Sequence, residues 1–193
     1  MSRDGLASAP AKLGHPAPVT GGGQADALAA LAEAADQRTA ELLGRFTRPG
    51  HILGGETKGQ GPVARLGGMH HLPSSDLDVE RVITFTKADN RTRAVYLEVR
   101  TPNGIARKHI DPENGLRHTT FDPDLSPLEV LTDIAAAFDN ATIEAPGPNG
   151  NARWTGVAPS GITIQGYCTP EGRIVTAFPE WEDTTTLHIP HEN

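Results

Sequence analysis

Arg93-Ala-Val-Tyr-Leu-Glu-Val-Arg-Thr-Pro-Asn-Gly-Ile-Ala-Arg-Lys-His-Ile110 is the stretch that decides the fold class of this chain. From Arg93 to Val99 the side chains alternate and put Val95, Leu97 and Val99 on one face of a strand. Asn103-Gly104 is a hairpin turn, and Ile105–Ile110 returns as the antiparallel partner. Outward from this hairpin, Val82 to Thr86 alternates in the same way and reads as a further strand. Leu125 to Phe138 reads as a helix with its start written out. Ser126 is the N-cap, Pro127 the first helical residue, and Glu129 completes a capping box. Leu125 and Val130 can staple its entry, with Leu131, Ile134 and Phe138 turned to the core. Further on, Gly161–Tyr167 and Arg173–Phe178 flank Thr169-Pro170-Glu171-Gly172 as a second hairpin. On the N-terminal side, Ile52 to Ser75 is a glycine-rich loop broken by short strands. A helix over 26–46 precedes it, capped by Asp26, with Leu28, Leu31, Ala35, Leu42 and Phe46 on one stripe and Pro49-Gly50 ending it. Residues 1–24, rich in Ala, Pro and Gly and ending in Gly21-Gly22-Gly23, read as a flexible leader or linker. The expectation is an α+β fold: an N-terminal helix, then a mainly antiparallel β-sheet with a second helix, forming a single domain over 25–193.

The 193 residues, 37% hydrophobic and only 5% aromatic, suffice for one core and not for two full domains. No apolar run approaches the roughly 20 residues of a membrane helix, and the N-terminus lacks the basic-then-apolar pattern of a secretory signal. A single cysteine, Cys168, excludes an internal disulfide framework and a multi-cysteine zinc site. The net charge of −7 argues against general polyanion binding, but the charge is unevenly spread. Residues 51–123 hold ten basic side chains and five of the eight histidines, whereas residues 124–193 hold two basic and ten acidic ones. A polyanion would therefore bind through the middle third.

Two histidines stand in unusual settings. His51 opens His-Ile-Leu-Gly-Gly-Glu just after a Pro-Gly break, and His70 closes Leu-Gly-Gly-Met-His, with His71 next to it. Glycines such as Gly68 let backbone approach a ligand closely. Two imidazoles near neutrality can act as base and acid in one displacement. A metal-dependent hydrolase is the competing chemistry. It lacks a helical His-x-x-x-His spacing and a nearby carboxylate cluster. Cys168, at a strand end, reads as a small buried hydrophobe rather than a nucleophile.

Read together, His51-Ile-Leu-x-Gly-Glu, Leu66-Gly-Gly-Met-His70 and Gly172-Arg-Ile-Val-Thr-Ala-Phe-Pro179 resemble the bacterial EndoU ribonucleases. Those are commonly the C-terminal toxin domains of contact-dependent inhibition and other polymorphic toxin systems. The first two motifs also resemble the coronavirus uridylate-specific endoribonuclease. The resemblance covers about residues 48–181. It implies an α+β nuclease fold shared with barnase-like toxins, and RNA cleavage that needs no metal or other cofactor. In such cleavage the ribose 2′-hydroxyl attacks the adjacent phosphate, leaving 2′,3′-cyclic phosphate and 5′-hydroxyl ends. By correspondence, His70 would be the base, His51 the acid, and a cation would offset the charge on the transition state. It also implies delivery within a larger exported protein, action as a monomer in the target-cell cytoplasm, and a cognate immunity protein that binds the domain.

The chain departs from the family at two places. Family members carry a lysine before a Thr-x-Phe-Pro stretch; here Arg117-His118-Thr119-Thr120-Phe121 leaves Arg117 or His118 for that role. Lys58 and Lys108 are spare candidates for that role, with no motif support. The family's closing Thr-x-Tyr-Pro reads Thr176-Ala177-Phe178-Pro179. Alternation puts Thr176 and Phe178 on one face, as a wall for a base on which Phe178 can stack, while Tyr167 on the preceding strand is the candidate hydroxyl. These departures keep a second class open, a binding domain of the same fold without catalysis.

Overall fold

The computed structural model describes residues 37–58, 65–86, 92–101, 104–108 and 118–181. Helix α1 (Gln37–Gly44) and the short α2 (Pro49–Leu53) precede strands β1 (Glu56–Lys58) and β2 (Arg65–Gly67) and a 3₁₀ turn over Leu72–Ser74. Then come β3 (Asp78–Thr86), β4 (Thr92–Thr101), β5 (Gly104–Lys108), β6 (Thr119–Phe121), α3 (Pro127–Asp139), β7 (Thr142–Ile143), β8 (Ala152–Val157), β9 (Thr163–Cys168) and β10 (Ile174–Pro179). The architecture is α+β and mostly antiparallel, as expected. A first sheet runs β1-β2-β5-β4-β3, with β6 also paired to β4, and a second runs β10-β9-β8-β7.

Each sheet has its own core. The first buries Leu66, Met69, Val95, Leu97, Val99 and Ala106. In the second, α3 lies on the sheet, and Leu131, Ile134, Trp154, Ile164, Ile174 and Ala177 close the interior together with Phe46, Ile52, Leu53 and Phe121. The α3 start is as read from sequence: Ser126 accepts from the Glu129 backbone while the Glu129 carboxylate returns to the Ser126 amide. Phe138 meets Trp154 edge-on at 5.1 Å.

Four readings of the sequence are corrected. The N-terminal helix does not run to residue 46: α1 stops at Gly44, and Phe46 instead bridges to Ile174 beside β10. The amide of Thr47 donates to the Ile174 carbonyl and that of Ile174 to the Arg45 carbonyl, so sheet pairing outcompetes another helical turn. Residues 26–36 of that helix, and the leader over 1–24, lie outside the described residues. Pro49 does not end an element but begins one, at the first helical position where its missing N–H costs nothing. His51 therefore sits on a helix rather than in a loop. In the first hairpin Thr101 already pairs with Gly104, so Gly104 belongs to the returning strand and not to the turn; 102–103 lie outside the described residues. Its returning strand is observed to Lys108, and His109 and Ile110 also fall outside. Finally, β8, one of the two inner strands of the second sheet, had no counterpart in the sequence reading.

Candidate active site

The site lies where the two cores meet. The carbonyls at the end of α2 are received by the segment that follows β2: Met69 donates to His51, His70 to Ile52 and His71 to Leu53 at 2.8–3.2 Å. This ladder draws together two histidines nineteen positions apart in sequence. It requires Gly68, whose φ is +66° and whose hypothetical Cβ would lie 1.7 Å from the His51 carbonyl oxygen. Met69 follows with φ +65°, rare for a residue with a side chain.

The His70 ring is buried between two other rings. His118, at the entry to β6, lies on one contact at 4.8 Å between centroids, and Phe178 of β10 stacks on it at 5.3 Å. His70 Nδ1 donates to the Thr119 carbonyl at 2.7 Å, because a carbonyl only accepts. The neutral ring therefore carries its lone pair on Nε2, which has no hydrogen bond among the described residues. Burial, reinforced by the nearby Lys108 ammonium, holds this imidazole well below its ordinary range.

His51 differs. Its Nδ1 is 3.1 Å from Glu56 Oε1, at ion-pair distance though off hydrogen-bond alignment. Burial lowers its pKa, while the Glu56 carboxylate works the other way. Glu56 also receives Arg48 at 3.2 Å and Lys58 at 2.9 Å.

His118, a candidate for the cation, is 4% exposed and donates Nε2–H to the Met69 carbonyl at 2.9 Å. Burial first, then Lys108 and His70, push it well below the imidazole range, so the ring is neutral at physiological pH. Arg117 lies outside the described residues. His71 has both nitrogens engaged, Nδ1 with Ser74 Oγ at 2.6 Å and Nε2 with the Leu125 carbonyl at 2.8 Å. It braces the 3₁₀ turn against the entry to α3.

Thr176 and Phe178 are half-buried on one face of β10, and Tyr167 of β9 sits directly across from Thr176 and is exposed. Two further groups stand at the site: Glu56, which the sequence offered only as the last residue of the His51 motif, and Lys108, there only a spare candidate for the cation. The lysine donates to the Gly68 carbonyl at 2.8 Å. Burial, and then Lys58, lowers its pKa to about 8. A signal for it existed: in the hairpin it falls opposite an inward-facing strand residue, Leu97, beside the buried Ala106. Among the described residues no three His, Cys, Asp or Glu side chains converge as a metal-ligand set. No helix among them is long and apolar enough to cross a membrane.

Two imidazoles in unlike surroundings, with an ammonium and a stacking ring beside them, are groups that can exchange protons with a phosphodiester and offset its charge. The chain matches the model of the bacterial EndoU nuclease family over residues 47–181, most of its length, and belongs to that family. Neither a curated protein nor a solved structure matches it.

Proposed function

We propose that this nuclease is an RNA-cleaving toxin domain that works by 2′-hydroxyl transesterification. His70 Nε2 takes the 2′ proton as the 2′ oxygen bonds to phosphorus, and the P–O5′ bond breaks as His51 gives a proton to the leaving oxygen. The products are a 2′,3′-cyclic phosphate and a 5′-hydroxyl. The observation that carries this reading is the Nδ1–Thr119 hydrogen bond, which leaves Nε2 of His70 as the unprotonated nitrogen of the neutral ring. The order of roles is supported by environment. The base is the more strongly depressed imidazole, and the acid is the one with a carboxylate beside it to favour its charged form. Thr176 and Phe178 flank the base to be held, and Tyr167 extends that wall outward. A domain with this activity is lethal in its own cytosol, so its producer needs a tightly bound immunity protein over the histidine-bearing surface. Delivery within a larger exported toxin brings the domain, as a monomer, to the cytoplasm of the target cell.

Digestion of a short oligoribonucleotide in EDTA, read by mass spectrometry, tests the chemistry. Cyclic phosphate ends are expected. His70→Ala and His51→Ala should each lower the rate by about 100-fold or more. Linear 5′-phosphate ends, full inhibition by EDTA, or an active, folded His70→Ala protein would reject the mechanism. A wild-type protein that binds RNA without cutting it would instead favour the non-catalytic class.

A further inference from the structure

The geometry points to a basic track on the outer face of the first sheet, formed by Lys58, Arg65 and Arg107, that holds the RNA backbone on the 3′ side of the cut. This inference rests on the transesterification reading and extends its substrate contacts beyond the reacting nucleotides. The track follows from register. Lys58 of β1 lies directly across from Arg65 of β2, and Arg65 directly across from Arg107 of β5. Leu66 and Ala106, next to Arg65 and Arg107 in sequence, point into the first core, so the row points away from it. All three side chains are exposed. His51 lies on the same face. Gly67, two residues beyond Arg65, shares its side of β2, and a Cβ there would meet the His51 ring at 3.1 Å and the Lys58 stem at 3.5 Å. The row therefore begins at the His51 edge of the site. It leads away across three strands, about 10 Å at the usual strand spacing.

Like charges directly opposite one another destabilise a sheet. Here two such pairs stand side by side, and carboxylates match only the ends of the row. Glu56 takes Lys58 at 2.9 Å but also Arg48 at 3.2 Å, and Glu98 takes Arg107 at 2.8 Å. Arg65, in the middle, has no ion pair among the described residues. Among those residues Arg48, Lys58, Arg65 and Arg107 thus stand against Glu56 and Glu98 alone, in a chain whose net charge is −7. A polyanion laid along the row turns this repulsion into attraction. Its start beside His51 favours RNA over an acidic protein, because a substrate has to pass through both. The polarity of the strand follows from the reaction. His51 gives its proton to the departing 5′ oxygen, so the nucleotide that begins the 3′ product lies on the His51 side, and the phosphates after it run over Lys58, Arg65 and Arg107. No bond is made or broken along the track. It holds the leaving strand by charge, and the fork of Arg65 suits two oxygens of one phosphate.

The test uses strands with a single ribonucleotide in an otherwise 2′-O-methyl oligonucleotide, which confines cleavage to one place, with each of the four bases at the ribose in turn. The full chain is compared with Arg65→Gln, with Arg65→Lys, and with Arg38→Gln, an equal loss of charge on the exposed side of α1. Lengthening the strand from one to six nucleotides 3′ of the ribose should lower the wild-type KM about tenfold and change kcat less than about twofold. Arg65→Gln should forfeit about fivefold of that gain, the worth of one exposed ion pair. Arg65→Lys and Arg38→Gln should keep most of it. Binding of an uncleavable, wholly 2′-O-methyl twelve-nucleotide strand gives a second readout. The slope of log Kd against log salt should be shallower by about 0.7 in Arg65→Gln, one phosphate contact fewer on a single strand. An equal 3′ gain in wild type and Arg65→Gln, or an equal loss in Arg38→Gln, would overturn the proposal. A gain from 5′ extension that Arg65→Gln loses would overturn it too, by reversing the strand. An unchanged salt slope in Arg65→Gln would reject RNA on this row and leave it to an acidic protein. If the wild type cuts none of the strands, or leaves 5′-phosphate ends, the transesterification reading fails instead, and the salt slope alone then decides whether the row holds RNA.

Discussion

Adjacent residues of one type can do opposite work, and His70 and His71 show why. Among the described residues His70 has a hydrogen bond on one nitrogen only, whereas both nitrogens of His71 are consumed by Ser74 and the Leu125 carbonyl. Removing a buried ring with two partners leaves those partners unsatisfied, at about 1–3 kcal/mol each. His71→Ala should therefore lower stability by about 2 kcal/mol or more in urea unfolding. Below its unfolding midpoint it should still cleave RNA within about tenfold of the wild-type rate. A stable His71→Ala protein without cleavage would exchange the roles of the two histidines. That the segments carrying His51 and His70 meet was signalled by glycine-flanked motifs, because those glycines are a backbone requirement that survives in the letters. The neutrality of His118 was not legible: its position beside Thr119-Thr120-Phe121 says nothing of the Met69 carbonyl it meets in space. Lys108 stood between these cases. Its inward face follows from strand parity around the turn, and either register puts it opposite an inward-facing valine or leucine of β4. What sits above that face comes from β2 and α2, elements remote in sequence, so alternation could mark the residue without revealing its neighbours.

Among the elements, those with local signals were read from sequence and those made by long-range pairing were not. The α3 cap, the β9–β10 hairpin and the alternation of β4 each rest on residues within a few positions of one another. The stop at Gly44 and the β2–β5 pairing depend on partners such as Ile174 and Arg107, far along the chain. The α2–β2 junction is the element-level device on which the site depends, and a pair of glycine substitutions isolates it. Gly68 and Gly172 both have positive φ, +66° and +79°. A methyl group at Gly172 would meet open space, while one at Gly68 would meet the His51 carbonyl. Gly172→Ala should cost about 1–2 kcal/mol, the backbone term alone, and leave cleavage unchanged. Gly68→Ala should cost more than that, since backbone must move, and should also abolish cleavage by parting the His51 and His70 segments. Equal effects of the two substitutions, measured by urea unfolding and oligonucleotide digestion, would remove the junction's claimed role.

At the scale of the whole molecule, the histidine cluster ties stability to pH in a direction that can be worked out. Burial lowers the pKa values of His51, His70, His71 and His118 from the usual 6.5. On unfolding, each ring regains its ordinary value and, below about pH 6.5, takes up a proton that the folded state refuses. The unfolded chain then binds more protons than the native one, so stability falls as pH falls, by about 1.4 kcal/mol per pH unit for each proton taken up. The contribution is fully present above pH 6.5 and is lost progressively as pH drops toward the folded-state values. Glu56, Glu98, Glu129 and Glu171, whose pKa values are lowered from 4.5 chiefly by side-chain hydrogen bonds, act with the same sign but in a more acidic window. Between pH 7 and pH 5 the imidazoles should therefore dominate. The urea midpoint should decline over that interval while the steepness of the transition stays constant, and His118→Phe, which keeps a ring against His70 but cannot take a proton, should reduce the decline. If stability stayed level or rose between pH 7 and pH 5, the imidazoles would not be held neutral in the folded state. His70 could not then be the ready base at neutral pH, and the assignment of acid and base would have to be reversed or abandoned.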